Sequence, residues 1–151
     1  MDEYSQTYVV RWADIDANGH MSSTAYIDAS ADLRYRFFSE HGFPPEAFQS
    51  LGVGAVYMRI EGQFFREVKM GEVLTINYQL AGLSPQGGRW KVQHDLFKSN
   101  GKKAATIILD GVVLDLNTRK PVLPPPALMA LFLQIPRRPD FAELSESRWN
   151  R

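Results

Sequence analysis

The spacing of apolar residues predicts a series of β-strands over most of the second half of the chain. In 72–83, Leu74, Ile76 and Tyr78 alternate with polar residues, and a period of two gives a strand one apolar and one polar face. Residues 103–116 are instead apolar on both faces, which suits a strand in the middle of a sheet. On these grounds four segments are predicted as strands: 54–66, 72–83, 88–98 and 103–116.

The first forty residues follow a different pattern, in which a strand and a helix flank a loop. Residues 6–13 are rich in β-branched and aromatic types and are predicted as a strand. Residues 14–22 are rich in turn formers, whereas 23–41 carry apolar residues at spacings of three and four, which is typical of one helix face. The predicted buried face of this helix contains Tyr26, Ala29, Ser30, Leu33 and Phe37.

The order of one strand, one helix and four strands predicts an α+β fold. Turns between the last four strands are short, and Asn100-Gly101 is a strong hairpin signal, so neighbouring strands are expected to be antiparallel. One long helix can cover the apolar face of such a sheet. We therefore expect a single domain over 1–151, with its core in 6–134, a short helix at 127–134 and a loosely ordered polar tail over 136–151.

Composition excludes several classes of function. The chain has 17 basic and 17 acidic residues, so bulk charge gives no support for nucleic-acid binding. It has no cysteine, which excludes disulfides, cysteine-ligated metals and a thiol nucleophile. The N-terminus lacks the pattern of a secretory signal, and no apolar run reaches the ~18 residues of a membrane span. We therefore expect a cytoplasmic protein that binds neither nucleic acid nor membranes.

The densest polar cluster is the loop Asp14-Ile15-Asp16-Ala17-Asn18-Gly19-His20, for which three interpretations are open. Asp, Asn and Gly are what any tight turn requires. The spacing also matches the first half of an EF-hand calcium loop, but Ala25 stands where the bidentate glutamate is needed. The third interpretation is catalysis, because a carboxylate before a helix N-terminus lies beside unpaired backbone N–H groups that can hold an oxyanion. The three scattered histidines have no metal-binding spacing, so we expect no metal and no other cofactor.

The stretch from Val10 to Met21, followed by Ala25-Tyr26, resembles the opening motif of the 4-hydroxybenzoyl-CoA thioesterase-like branch of the hotdog superfamily. That motif runs roughly R-[YFW]-x-D-x-D-x-x-G-H-[VM]-N-N-x-x-Y, and the resemblance extends over 6–125. It implies a hotdog fold, in which an antiparallel sheet of about five strands wraps around one long central helix. It also implies paired protomers with active sites at their interface, so a homodimer or a tetramer of dimers is expected.

The resemblance also implies roles for residues of the loop and of the first helical turn. The second aspartate of the motif is the family's catalytic carboxylate, and this role falls on Asp16. The oxyanion contact comes from a backbone N–H at the helix start, which maps to Ser23, while Gly19 would allow close approach of the backbone. His20 is a candidate for orienting Asp16 or contacting substrate, with a structural role in the loop as the alternative. The candidate substrate-binding residues are Ser22, Tyr26, Arg89 and Lys91, the last two for the phosphates of coenzyme A.

The sequence departs from the motif where Ser22-Ser23 replaces the usual asparagine pair. Serine still caps a helix, but it is too short to repeat every contact of an asparagine. The predicted function is hydrolysis of an acyl-CoA, or of an acyl carrier protein thioester, to a carboxylic acid and a free thiol. The alternatives are a hotdog hydratase that uses Asp16 and His20, and a non-catalytic protein that binds acyl thioesters. Candidates for an acyl pocket are Tyr57, Met58 and Phe64, with core packing as the alternative for each.

Overall fold

A long helix lies across one curved sheet in the computed structural model, which describes residues 3–146. Within this range the chain forms eight strands and three helices. The helices are α1 (Ser23–Glu40), α2 (Pro45–Leu51) and α3 (Pro126–Phe132). The strands are β1 (Ser5–Val9), β2 (Val53–Phe64), β3 (Val73–Asn77), β4 (Gln79–Leu83), β5 (Arg89–Phe97), β6 (Lys103–Asp115), β7 (Pro121–Val122) and β8 (Arg137–Glu143).

The sheet is built around β5 and β6, which form the hairpin predicted from Asn100-Gly101. Strand β2 pairs with the other side of β6, and β3 and β4 both pair with β5. Strand β1 then pairs with β3, and β8 pairs with β4. Strands β3 and β4 are separated only by Tyr78 and together occupy one position in the sheet, and β1 and β8 together occupy the edge position beside them. The eight strands therefore fill five positions across the sheet. The α+β hotdog architecture predicted from the sequence is confirmed.

The core lies between α1 and the concave face of the sheet. All five residues of the predicted helix face are buried, and their side chains pack towards β2 and β6. From the sheet side, the alternating residues of β3, β4 and β5 meet this face. These alternating buried residues are Leu74 and Ile76 of β3, Tyr78 at the interruption, Leu80 of β4, and Trp90, Val92, His94 and Leu96 of β5. Here the period of two in the sequence identified the buried face of each strand.

The structure differs from the sequence-based predictions in three segments. The first strand ends at Val9, and the chain then makes a single 3₁₀ turn over Trp12–Asp14. After α1, the chain forms the short helix α2, which begins at a proline, where the missing N–H costs no helical hydrogen bond. The prediction of a loosely ordered tail is wrong for Arg137–Glu143, which is the strand β8, parallel to β4. Residues 147–151 of that predicted tail lie outside the described residues.

Strand β2 is the other edge of the sheet and is unusually exposed. Among residues 3–146 it pairs only with β6, and its register shifts between Tyr57 and Arg59. Beyond this bulge the strand has exposed residues on both faces, including Ile60 and Phe64. Tyr57 and Phe64 are therefore not core residues, because about half of each side chain is accessible, 50% and 48% respectively.

Candidate active site

The loop before α1 and the end of β2 enclose an open groove of about 290 Å³. The loop and the first turns of α1 form one side, and the segment that follows β2 forms the other. Four of the predicted site residues meet here: Asp16, His20, Ser23 and Tyr26. The remaining lining residues are Asn18, Met21, Phe64, Phe65, Arg66 and Glu67. The structure therefore brings most of the candidate catalytic set together within one protomer.

Backbone hydrogen bonds close the loop into a tight turn that presents Asp16 at its tip. The Asp16 N–H donates to the carbonyl of His20 at 2.9 Å, and Ile15 and Met21 form an antiparallel bridge. The Asp16 Oδ1 accepts a hydrogen bond from the backbone N–H of Asn18 at 2.9 Å, an Asx turn that fixes the carboxylate. The Asp16 side chain is exposed to solvent, so its second oxygen can approach a bound ligand.

The neighbouring carboxylate of Asp14 has the opposite environment. It is 5% exposed, and its Oδ2 accepts hydrogen bonds from the Tyr8 hydroxyl at 2.6 Å and the Arg11 backbone N–H at 2.8 Å. Its Oδ1 accepts from Arg11 Nη2 at 3.0 Å. With both oxygens engaged by protein donors, Asp14 holds the loop against β1. The two aspartates of the motif thus divide into a structural carboxylate and an accessible one.

The Asp14 contacts lead to a pH-dependent stability. Burial raises the pKa of the Asp14 carboxyl, but hydrogen bonds from Arg11 and Tyr8 outweigh burial and leave this pKa below its ordinary value. A lowered pKa stabilises the fold fully above the unfolded value of about 3.9, and the contribution is lost as pH falls through the folded value. We expect Asp14→Asn to cost about 2 kcal/mol at pH 7 and clearly less at pH 3. Urea unfolding of both proteins at the two pH values measures this, and a cost independent of pH would contradict it.

The N-terminus of α1 supplies backbone donors beside Asp16. Ser22 is the N-cap residue, and its hydroxyl oxygen accepts from the Ala25 N–H at 3.3 Å. The N–H groups of Ser23 and Thr24 lie in the first helical turn, where no preceding helical carbonyl can accept them. The positive end of the helix dipole lies at the same place and favours a negative ligand. The backbone of Ser23, which lines the groove, is therefore suitably placed to hold an oxyanion.

The cap can be tested independently of catalysis. Ser22→Ala should lower the free energy of unfolding by about 1 kcal/mol because the Ala25 N–H loses its acceptor. For a chain of this size that loss lowers Tm by about 2–4 °C. Ser22→Asn, which keeps a good cap, is the control and should unfold close to the wild-type temperature. An equal loss in both variants, measured by thermal unfolding, would exclude the cap as the cause.

His20 contacts Glu67 across the groove. Its Nε2 lies 3.1 Å from Glu67 Oε2, and the His20 side chain is 29% exposed. Glu67 was not identified from the sequence, because it is brought opposite the loop by a long-range contact in which the Met21 N–H donates to the carbonyl of Val68. His20 therefore has Glu67 as a partner within the protomer, and its predicted roles, which are to orient Asp16, to contact substrate or to stabilise the loop, stay predictions.

Gly19 has a conformational role in the loop. Its φ of +79° lies in the left-handed region, which glycine adopts without strain. A Cβ atom at this position would have no neighbour within 4 Å. The predicted reason for the glycine, a close backbone approach, is thus not seen within the protomer, and the turn geometry accounts for it.

The wall of the groove beyond the carboxylate is aromatic. Tyr26 is buried, and its ring lies 5.2 Å from the ring of Phe64, centroid to centroid. Burial raises the pKa of Tyr26, and the negative charges of Glu72 and Asp16 raise it further. Tyr26 is therefore a neutral phenol. It presents an apolar ring to any acyl group in the groove.

Arg89 and Lys91 lie away from the groove in the same protomer. Both are in β5; the Arg89 guanidinium donates to the carbonyl of Ser145 at 3.2 Å, and Lys91 lines a shallow cleft with Arg59 and Asp110. Their predicted contact with coenzyme A phosphates stays a prediction. The arginine that does line the groove is Arg66, in the segment after β2, and it was not identified from the sequence.

Residues 3–146 contain no group of three or more His, Asp or Glu side chains placed to hold a metal ion. The Asp14 carboxylate, which the calcium interpretation would require as a ligand, is occupied by Arg11 and Tyr8. None of the helices within this range is long and apolar enough to cross a membrane.

Comparison with known proteins identifies the family and the fold. The family model of the thioesterase-like superfamily matches residues 10–132. A search of the curated proteins gives no match. Among solved structures, a hypothetical protein of Staphylococcus aureus in complex with CoA superposes with a TM-score of 0.80 at 20% identity, over 87% of this chain and 82% of that one.

Two similar structures are named as thioesterases. The 1,4-dihydroxy-2-naphthoyl-CoA thioesterase of Synechocystis has a TM-score of 0.79 and 15% identity, over 88% of this chain and 97% of that one. The DHNA-CoA thioesterase of Staphylococcus aureus has a TM-score of 0.78 and 16% identity, over 89% and 91%. At these identities the structures establish the hotdog fold, and the family match supports the prediction of a thioester hydrolase. The chain belongs to the thioesterase-like superfamily.

Proposed function

We propose that the protein hydrolyses an acyl-CoA to a carboxylic acid and free CoA, with Asp16 as the carboxylate that drives the reaction. The observation that carries this proposal is the convergence of three features in one open groove: the exposed Asp16 carboxylate, the free N–H groups at the start of α1, and the Tyr26–Phe64 wall. The carboxylate supplies a base or nucleophile, the N–H groups bind a developing negative charge, and the wall accommodates an apolar acyl group.

The simplest reaction sequence uses Asp16 as a general base. It accepts a proton from a water molecule while the water oxygen attacks the thioester carbonyl, whose electrons move onto its oxygen. The Ser23 N–H stabilises this oxyanion. Collapse of the tetrahedral intermediate breaks the carbon–sulfur bond, and the proton held by Asp16 passes to the thiolate of CoA. Direct attack by the carboxylate, with an anhydride that water then hydrolyses, gives the same products and uses the same groups.

The comparisons support an acyl-CoA as the class of substrate in this proposal. One structurally similar protein is a complex with CoA, and two others are named for aromatic acyl-CoA substrates. We assign the chain to the 4-hydroxybenzoyl-CoA thioesterase-like branch on the motif from Val10 to Met21. An aromatic ring of the acyl group would stack against the exposed part of Phe64, since offset ring pairs are favourable.

A second copy of the chain is part of the same proposal. Among the described residues, one side of β2 has no strand partner, and its exposed side chains include Tyr57, Ile60 and Phe64. An unpaired, apolar edge is normally covered. Pairing of β2 with β2 of a second protomer would bury this edge and would place the groove, which Phe64 lines, at the interface. Light scattering should then give a dimer or a multiple of it, and a monomer at micromolar concentration would contradict this part of the proposal.

The function is tested by measuring thiol release from a panel of aromatic, short-chain and medium-chain acyl-CoAs with a thiol-reactive dye. The protein has no cysteine, so it contributes no background. Turnover of at least one ester is expected, with acyl carrier protein thioesters as a second panel. Saturable binding of acyl-CoA without turnover would instead indicate a binding protein. Hydration of crotonyl-CoA without thiol release would indicate a hydratase, which the pairing of His20 with Glu67 disfavours.

A further inference from the structure

A second cavity, separate from the groove, lies between the C-terminal half of α1 and the sheet. It encloses about 110 Å³ and is lined largely by aromatic and aliphatic side chains. It shares no lining residue with the groove. Arg34 lies eleven residues beyond Ser23 on α1, which corresponds to about 16 Å along the helix axis. The cavity is therefore too distant to receive a small acyl group bound at Ser23 of the same protomer.

A single cation lines this apolar cavity without an acidic partner. Among residues 3–146, the Arg34 guanidinium has one hydrogen bond, from Nη1 to Nε2 of His94 at 3.0 Å, and no carboxylate within ion-pair distance. Burial lowers the pKa of Arg34, which reflects the cost of holding this charge away from water. An arginine has five N–H donors, so most of its hydrogen-bonding capacity remains available to a ligand.

His94 holds the arginine as a neutral acceptor. Its Nδ1 lies 2.8 Å from the carbonyl oxygen of Asn77, and because a carbonyl only accepts, Nδ1 carries the proton and Nε2 is the acceptor for Arg34. Burial, and after it the adjacent Arg34 charge, lower the pKa of His94 to about 3. His94 thus positions the guanidinium without neutralising it, and the positive charge is left for a group in the cavity.

A second polar group in the cavity, the Tyr78 hydroxyl, has no hydrogen-bond partner among residues 3–146. The side chain of Tyr78 is 2% exposed and lines the cavity, and its hydroxyl makes no hydrogen bond to any residue of 3–146. A buried tyrosine hydroxyl usually has a partner. The Trp90 indole, in contrast, donates to the carbonyl of Val112 at 3.1 Å and presents an apolar ring. Two groups with unused N–H or O–H donors, Arg34 and Tyr78, therefore line a cavity whose other walls are largely apolar.

From this arrangement we propose that the cavity binds a free carboxylate with a small apolar body, such as a short branched chain. The carboxylate accepts hydrogen bonds from Arg34 and Tyr78, and the apolar body packs against Trp90 and Phe132. The volume limits the size, since about 110 Å³ is smaller than the cavity of about 150 Å³ that accommodates benzene, which leaves room for a short branched chain. Tyr57 of the edge strand β2 also lies on the lining. This site does not depend on the proposed hydrolase function.

The test is calorimetric titration of the protein with isobutyrate and isovalerate, and with the neutral analogues isobutyramide and isovaleramide. We expect the carboxylates to bind at least tenfold more tightly than the amides, because a hydrogen bond to a charged group is worth roughly that factor. Equal binding of acid and amide, or no binding of either acid, would overturn the proposal.

Three variants locate the binding. Tyr78→Phe removes only a hydroxyl without a partner, so it should fold normally and weaken carboxylate binding about tenfold. Ala55→Leu fills the cavity and leaves Arg34 and His94 intact, and it should abolish binding. Arg34→Met should also abolish binding, although it deprives His94 of its donor and lowers stability. Asp16→Asn should bind as the wild type does. Unchanged affinity in Tyr78→Phe and Ala55→Leu would place the bound carboxylate elsewhere and refute the site.

Discussion

Replacing Asp16 by asparagine is expected to lower kcat for thioester hydrolysis by ~10²-fold or more, with little change in KM or Tm. Asparagine has the same shape, and its side-chain oxygen can still accept the N–H of Asn18 that fixes the wild-type carboxylate. It can neither take a proton from water nor attack a carbonyl. Because the wild-type side chain is exposed, its replacement should not disturb the core. Steady-state thiol release from the best ester of the panel measures the effect.

The control for this variant is Asp140→Asn, which makes the same chemical change in β8. Asp140 is 72% exposed and pairs only at the surface with Arg138, an interaction of little energetic value. Its kcat should equal that of the wild type. If Asp16→Asn also retained full turnover, the carboxylate would have no part in the reaction, and the likeness to the family would concern the fold alone.

The largest expected loss of stability comes from Gly111→Ala in the middle of β6. A Cβ atom there would overlap the ring of Trp90 and the carbonyl oxygen of Val56. Neither group can move easily, since the Val56 oxygen belongs to the backbone of β2 and the Trp90 indole N–H donates to the carbonyl of Val112. Overpacking of this kind costs about 3 kcal/mol, which lowers Tm by roughly 6–12 °C. Thermal unfolding of the variant measures the loss.

Gly54→Ala is the matched control for this effect. Gly54 lies in β2, next to β6, and the added Cβ would lie 3.3 Å from Cδ2 of Leu116, the end of a flexible side chain that can yield. Its cost should stay below about 1 kcal/mol. Similar losses in the two variants would indicate that a general effect of alanine in the sheet, and not the contact with Trp90, is responsible.

Local patterns in the sequence were sufficient for the elements that carry the candidate site. The period of two identified the buried faces of β3 and β5, and the spacing of three and four identified that of α1. The turn residues from Asp14 to His20 placed the loop directly before the N-cap of the helix. These features depend on neighbouring residues, so a single sequence contains the information that determines them.

The features that were missed depend on residues far apart in the chain. Glu67 reaches His20 because the end of β2 returns to the loop, and Arg34 meets His94 across a separation of 60 residues. Strand β8 has a proline and four charged residues among its seven, so its pattern resembles a loop, and only the open side of β4 makes it a strand. No local spacing reports a partner of this kind.

The position of β8 has a consequence for how the protein is made. Its partner β4 is complete once Leu83 has been synthesised, whereas β8 follows only after some fifty further residues. During translation, the outer side of β4 therefore stays unpaired until β8 has been synthesised. The hairpin of β5 and β6 can already form on the inner side of β4 in this interval. An uncovered strand side is a template for pairing with another nascent chain. Strand β8 therefore forms after β4 and protects it from pairing with other chains. A polypeptide truncated before β8 would leave this side of β4 exposed and would be prone to aggregate.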